Sequence, residues 1–250
     1  MKPVSGTRTL ILNVFIATAV ILFPAAASEG FSSSYVREGK SILWKFGKTS
    51  VWRFPEPQAA EVSRLTDRFN AIYADGFDLN DLHVAKSDGK WSVRIGERAV
   101  YTVSPEYAKS SGEDARTTAL RMMSRIYETV CAKNAAKLTE EHQIKGRYEA
   151  SGSVSWFGGK FIGRKFANGE RYTENHLAAA ARTLPFGTLV RVAVPSGKTV
   201  VVRVTDRFKG HKNRVLDISV AAAELLGVKS AGISAAKFTV IGRVDKIGGK

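Results

Sequence analysis

Two stretches of the chain alternate apolar and polar residues, and each is followed by a helical pattern. The alternation covers residues 42–46 and again residues 91–95, which predicts two β-strands that each bury one face. A glycine follows each stretch, Gly47 in the first and Gly96 in the second, and a further apolar run comes next. We therefore predict two hairpins with glycine at the turn.

Apolar residues at three- and four-residue steps follow each predicted hairpin. They are Val62, Leu65, Phe69 and Ile72 after the first hairpin, and Ala115, Ala119, Met122 and Ile126 after the second. This spacing places the side chains on one helix face, so the order ββα twice predicts an α+β domain over residues 28–140. No pattern typical of a catalytic site occurs there. We expect a scaffold, docking or dimerisation module that binds a protein partner or self-associates.

From Gly146 onward, the pattern changes to short apolar strands separated by glycine-rich turns. The clearest runs are residues 189–194, 199–204 and 238–244. One short helix is predicted over residues 220–226, with Ser219 as its N-cap and Gly227 at its end. About six strands and one short helix in roughly 100 residues are typical of a small closed barrel.

The first 27 residues have the three parts of a secretory signal. Lys2 and Arg8 give a positive start, residues 10–23 are apolar, and small residues precede a cleavage site after Ala27. The apolar run is shorter than the roughly 20 residues that span a bilayer. We therefore predict a cleaved signal peptide and a periplasmic or secreted protein. No cysteine follows the cleavage site closely, so we expect neither a lipoprotein nor a stable membrane anchor.

Positive charge is concentrated in the C-terminal region. The chain holds 38 Lys+Arg and 23 Asp+Glu, a net charge of +15. Residues 28–146 hold 18 basic and 16 acidic residues, a net of +2, whereas residues 147–250 hold 18 and 7, a net of +11. This excess predicts an anionic partner, and the export signal argues against nucleic acid. The four histidines and one cysteine show no metal-ligand spacing, so no metal or cofactor is predicted.

Six short motifs follow one another in the C-terminal region. They are Ser155-Trp-Phe-Gly158, Phe161-Ile-Gly-Arg164, Ala167-Asn-Gly-Glu170-Arg-Tyr172, Thr183-Leu-Pro-Phe-Gly187, Val202-Arg-Val-Thr-Asp206-Arg207 and Arg214-Val-Leu-Asp217-Ile-Ser219. In order and spacing they resemble the rare lipoprotein A family, over residues 147–243. The resemblance implies a six-stranded double-psi β-barrel, a fold shared with expansins. It also implies an endolytic lytic transglycosylase of peptidoglycan, a carbon–oxygen lyase that leaves 1,6-anhydro ends.

The resemblance assigns the catalytic acid/base role to Asp206 and a supporting catalytic role to Glu170. Cleavage of a β-1,4 glycosidic bond needs a carboxyl group that protonates the leaving oxygen. The alternative is a structural Asp206 that is ion-paired with Arg207. Neighbouring aromatic, basic and amide side chains are candidates for binding the glycan strand. These are Trp156, Phe157, Arg164, Asn168, Tyr172 and Arg207.

One position departs from the pattern of the family. The family has a Thr-Ala-Ala-His block where this chain has Ala178-Ala-Ala-Ala181. Ala181 therefore stands where the resemblance implies an active-site histidine. His176 and His211 are the neighbouring histidines that could replace it. The departure leaves a second hypothesis open, in which the protein is a non-catalytic, expansin-like peptidoglycan-binding or scaffold protein.

Overall fold

The computed structural model describes residues 32–141, 149–210, 213–243 and 246–247, without the side chains of residues 131–141 and 246–247. The predicted signal peptide and His211 lie outside these residues. The described residues fall within one compact unit, Phe31–Lys250. Across the described ranges, no helix combines the length and apolar character needed to cross a membrane.

Each of the two predicted ββα units contains a three-stranded antiparallel sheet. The strands are β1 (Ser33–Glu38), β2 (Ser41–Phe46) and β3 (Thr49–Pro55), then a short β4 (Phe77–Asp78), and β5 (Leu82–Ser87), β6 (Lys90–Ile95) and β7 (Arg98–Thr102). Gly47 and Gly96 occupy matching turns with φ of 55° and 54°, a left-handed backbone that favours glycine. The α+β prediction is confirmed, with one more strand in each unit than ββα. Strand β1 was missed because only Ser33 of its six residues is buried.

Three helices complete the N-terminal region. They are α1 (Ala59–Asp75), α2 (Pro105–Ser111) and α3 (Ala115–Glu141). All four apolar positions predicted for the first helix are buried in α1, and Phe69 stacks on Phe46 with ring centroids 4.6 Å apart. In α3, Ala119, Met122 and Ile126 are buried, and Ala115 is partly buried.

The C-terminal strands close into a barrel. They are β8 (Glu149–Phe157), β9 (Ala178–Ala180), β10 (Thr188–Ala193), β11 (Thr199–Asp206), β12 (Arg214–Ser219) and β13 (Ile233–Arg243), in the closed order β10-β11-β9-β12-β8-β13. Helix α4 (Val220–Leu226) is capped by Ser219 and ends at Gly227 in the left-handed conformation. The predicted six-stranded barrel with one short helix is confirmed. Strand β11 runs two residues beyond its predicted end, to Asp206.

Helix α3 packs directly on the barrel. Its buried residues share one hydrophobic core with those of β10 and β11. Ser124 Oγ accepts a hydrogen bond of 2.9 Å from the backbone N–H of Val201, and Glu128 accepts one from Arg191 at 2.8 Å. A short strand after the barrel, β14 (Lys246–Ile247), pairs with β4. The boundary between residues 140 and 147 falls mostly outside the described residues and stays a prediction.

Replacing Ser124 with alanine should destabilise the protein by about 1–3 kcal/mol, because the buried N–H of Val201 loses its acceptor. Urea unfolding measures this loss. Ser110→Ala is the matched control, since Ser110 is exposed and its hydroxyl donates only within α2, to the carbonyl of Tyr107. Equal stabilities of the two variants would contradict the contact between α3 and the barrel.

Candidate active site

A β-bulge near the end of β11 determines which way Asp206 faces. On the parallel strand β9, Arg203 pairs with Ala178, Val204 with Ala179 and Asp206 with Ala180, so Thr205 is the extra residue. Simple alternation would put Arg203 and Asp206 on opposite faces of the sheet. The bulge instead brings both to one face.

A second aspartate lies on the same row of the sheet. Asp217 on β12 pairs with Ala180 from the other side, so Asp206, Ala180 and Asp217 cross three neighbouring strands. At about 4.8 Å per strand, the two aspartate backbones are about 9–10 Å apart. All three residues line one cavity of about 370 Å³, which we call the aspartate pocket.

Asp206 is held by backbone donors at the mouth of this pocket. Its Oδ1 accepts hydrogen bonds from the N–H groups of Ala167, at 3.0 Å, and Arg207, at 2.8 Å. Among the described residues no basic side chain forms an ion pair with it. The guanidinium of Arg207 lies 3.8 Å from the ring centroid of Phe186 instead. The ion pair with Arg207, which belongs to the alternative of a structural Asp206, is therefore not formed.

Asp217 belongs to one of the six motifs, but the sequence does not predict it as a site residue. Its Oδ1 accepts a hydrogen bond of 2.5 Å from Ser155 Oγ. Arg214 Nε lies 2.9 Å from the same oxygen, as an ion pair whose geometry does not make a hydrogen bond. The sequence offers one indication of the role of Asp217, which is that residues 147–250 contain only seven acidic residues. Among the described residues, no three histidine, cysteine or acidic side chains gather as metal ligands.

Aromatic rings form one wall of the aspartate pocket. Phe157, Phe166 and Tyr172 contact one another with ring centroids 5.1–6.1 Å apart. Phe161 is 42% exposed at the rim, and the guanidinium of Arg164 lies 5.6 Å from its ring. Four of the six predicted binding residues line this pocket. They are Phe157, Arg164, Tyr172 and Arg207.

The other two predicted binding residues point elsewhere. The indole N–H of Trp156 donates to the carbonyl of Lys229 at 3.0 Å, because alternation along β8 turns Trp156 away from the face of Phe157. Asn168 binds Glu170 through two hydrogen bonds, of 2.9 and 3.1 Å. Neither residue lines the aspartate pocket.

Glu170 forms a bidentate ion pair with Arg203. Nη1 and Nη2 of Arg203 donate to its two oxygens at 2.7 and 2.5 Å, and the arginine side chain is only 5% exposed. Burial by itself raises the pKa of Glu170, but the hydrogen bonds and charge of Arg203 outweigh it, so the pKa is lowered. Glu170 is therefore ionised at neutral pH, on the same sheet face as Asp206 but outside the aspartate pocket.

The barrel is similar to proteins of known family. Residues 149–238 match a protein-family model described as "Lytic transglycolase". The predicted resemblance to the rare lipoprotein A family is confirmed. A protein of Synechocystis sp. named "Probable endolytic peptidoglycan transglycosylase RlpA" is 36% identical over 233 residues, 88% of this chain and 65% of the relative. "Endolytic peptidoglycan transglycosylase RlpA" of Neisseria meningitidis is 42% identical over 106 residues, 42% of this chain and 44% of the relative.

The chain thus spans less than two thirds of the length of these RlpA relatives. The alignment with the Synechocystis protein extends well beyond the barrel into the N-terminal region. Among solved structures, an expansin of Clavibacter michiganensis is 24% identical and covers 37% of this chain and 50% of its own, with a TM-score of 0.31.

Ala181 stands where the resemblance implies a histidine, and it is a core residue of this protein. Ala181 is 1% exposed and packs within the barrel core, while its N–H donates to the carbonyl of Asp206 at 3.0 Å. His176 lines a neighbouring cavity of about 380 Å³ together with Arg203, outside the aspartate pocket. Burial and the charge of Arg203 lower the pKa of His176, so its ring is neutral at pH 7. The replacement of the histidine by His176 stays a prediction.

Glu170→Gln should remove part of the pH dependence of stability. Because the folded-state pKa of Glu170 is lowered, its carboxylate stabilises the fold at pH values above the usual pKa range of glutamate. That stability is lost as the pH falls through the lowered pKa. At pH 7 the free energy of unfolding of the variant should be lower than that of the wild type by about 1–3 kcal/mol. The loss should lie towards the lower end of this range because the carboxylate is 36% exposed. Between pH 7 and pH 3 the variant should lose less further stability than the wild type.

Urea unfolding at several pH values makes this comparison. Glu174→Gln removes the same charge from an exposed residue of the same loop, and should behave as the wild type does. Parallel pH profiles for the wild type and Glu170→Gln would contradict the effect of Arg203 on Glu170.

Proposed function

We propose that the protein is an endolytic lytic transglycosylase that cleaves the β-1,4 bond between N-acetylmuramic acid and N-acetylglucosamine in peptidoglycan. The observation that carries the proposal is the aspartate pocket, where Asp206 and Asp217 lie on one sheet row beside an aromatic wall. The pocket falls within the residues that match the lytic transglycolase family, and the RlpA relatives are named for this activity.

Asp206 acts as the acid and then as the base. In the first step, its carboxyl proton passes to the glycosidic oxygen, and the bond from C1 of the muramic acid to that oxygen breaks. In the second step, the 6-hydroxyl of the same sugar attacks C1, and its proton passes to the Asp206 carboxylate. The products are a free 4-hydroxyl and a 1,6-anhydro end, and Asp206 returns to its starting state.

Asp217 stabilises the positive charge that develops between these steps. The transition state of glycoside cleavage resembles an oxocarbenium ion, and a fixed carboxylate on the far side of the ring lowers its energy. Ser155 and Arg214 hold Asp217 in place. The separation of about 9–10 Å between the aspartate backbones leaves room for a sugar ring.

Glu170 supports the reaction as an ionised group rather than as the proton donor. Its lowered pKa keeps it charged, and its backbone carbonyl accepts from Phe166 at 2.8 Å. Glu170 therefore orders the loop that supplies the Ala167 N–H to Asp206.

The rest of the pocket suits an amphipathic, anionic glycan. Phe157, Phe161 and Tyr172 offer apolar surface to sugar rings, and Arg164 and Arg207 can bind the lactyl carboxylate of muramic acid. Trp156 and Asn168 contribute indirectly, by packing and by orienting Glu170. Peptidoglycan as the substrate places the protein outside the cytoplasm, periplasmic or secreted, in cell wall remodelling.

Asp206→Asn and Asp217→Asn should each reduce the release of 1,6-anhydro products from purified murein by at least about 100-fold, because each loses a carboxyl group required at the transition state. Mass spectrometry of the soluble products gives this measurement. Glu174→Gln is the matched control and should leave the products unchanged. Full activity of the Asp206 variant would refute the mechanism.

The presence of Ala181 favours a second function, that of a non-catalytic glycan-binding or scaffold protein. No imidazole is available at this position to position the sugar or tune a proton transfer. In that case the wild type should bind peptide-free glycan strands in a pull-down assay and release no 1,6-anhydro product. Asp206→Asn should then change affinity alone.

A further inference from the structure

The junction between the N-terminal region and the barrel contains an interaction that the proposed chemistry does not use. Besides binding Glu170, Arg203 donates from Nη1 to Oδ1 of Asn80 at 2.6 Å. Asn80 lies in a short 3₁₀ turn, Leu79–Asp81, 123 residues earlier in the chain. The N-terminal region therefore reaches the arginine that holds the glutamate of the barrel.

The amide of Asn80 is held in one orientation. Asp78 Oδ1 accepts from the backbone N–H of Asn80 and from its Nδ2, both at 2.8 Å. Because Nδ2 donates to this carboxylate, the carbonyl oxygen of the amide faces Arg203. Asp78 itself is fixed in β4, which pairs with β14.

Arg203 needs this second acceptor because it is buried. A guanidinium carries five N–H donors, and Arg203 is 4% exposed. A buried donor without an acceptor is costly. The neutral oxygen of Asn80 supplies an acceptor without adding a second charge, so Glu170 keeps the ion pair with Arg203.

The loop that Glu170 anchors reaches Asp206. Within residues 166–170, the N–H of Phe166 binds the carbonyl of Glu170, and the N–H of Asn168 binds the carbonyl of Thr205 at 3.1 Å. The N–H of Ala167 binds Asp206 Oδ1 at 3.0 Å. Movement of Arg203 would release Glu170 and loosen the donor on Asp206.

We propose that Asn80 is a positioning residue, which holds Arg203 and thereby keeps Glu170 and the loop of residues 166–170 in place against Asp206. The N-terminal region then completes the site of the barrel. The effect on reaction rate rests on the proposed function, whereas the effect on Glu170 does not.

Asn80→Ala tests the proposal with two measurements on the full chain. Carbon-13 NMR of the side-chain carboxyl follows the titration of Glu170. The ring of His176 is followed in parallel, because the charge that it gains as the pH falls also acts on Glu170. The pKa of Glu170 should rise towards its ordinary value. The kcat for 1,6-anhydro product release should fall about 10-fold or more, as expected for a small displacement of reacting groups, with a smaller change in KM.

Asp81→Ala is the matched control, because Asp81 is exposed in the same turn and should change neither measurement. An unchanged titration of Glu170 in Asn80→Ala would overturn the proposal. A raised pKa of Glu170 with an unchanged kcat in the same variant would also overturn the proposal. If the wild type releases no 1,6-anhydro product, the proposed function fails by itself, and the titration of Glu170 alone decides whether Asn80 holds it.

Discussion

The buried charge of Arg203 is the constraint on which the site depends. A guanidinium that is 4% exposed is tolerated only with a close counter-ion and well-placed acceptors. Glu170 supplies the counter-ion from the loop over the barrel, and Asn80 supplies an acceptor from the N-terminal region. The single arginine thus ties together the barrel strand β11, the site loop and the preceding region.

The same constraint separates the roles of the acidic side chains. Glu170 is committed to Arg203 and stays ionised, so it is poorly suited to donate a proton. Within the described residues, Asp206 Oδ1 accepts from backbone donors alone, and Asp206 lines a cavity with an aromatic wall, which suits the acid/base role that we propose for it. Asp217 lies across the pocket, two strands away. The different roles that we propose for these acids follow from where their charged partners lie.

Much of the fold could be predicted from the sequence, because it depends on local patterns. Alternating runs, glycine turns and the caps of α4 gave the hairpins, the barrel strands and the short helix. Strand β1 could not be predicted, because it buries almost nothing.

In the site, the motifs singled out Asp206 and four other residues that the structure places around the same pocket. The bulge at Thr205, the pairing of Asp217 with Ala180 and the contact of Asn80 with Arg203 were not predicted. Each joins residues distant in sequence and leaves no periodic pattern. Trp156 stays a predicted binding residue, although it lies outside the aspartate pocket.

The most direct test of the proposed mechanism is a crystal structure of the Asp206→Asn variant with a short peptide-free glycan strand. We expect sugar rings in the aspartate pocket, with a glycosidic oxygen within hydrogen-bond distance of the side chain at position 206 and with Asp217 on the opposite side of the ring. A strand bound away from this pocket, or bound with no glycosidic oxygen near position 206, would contradict it.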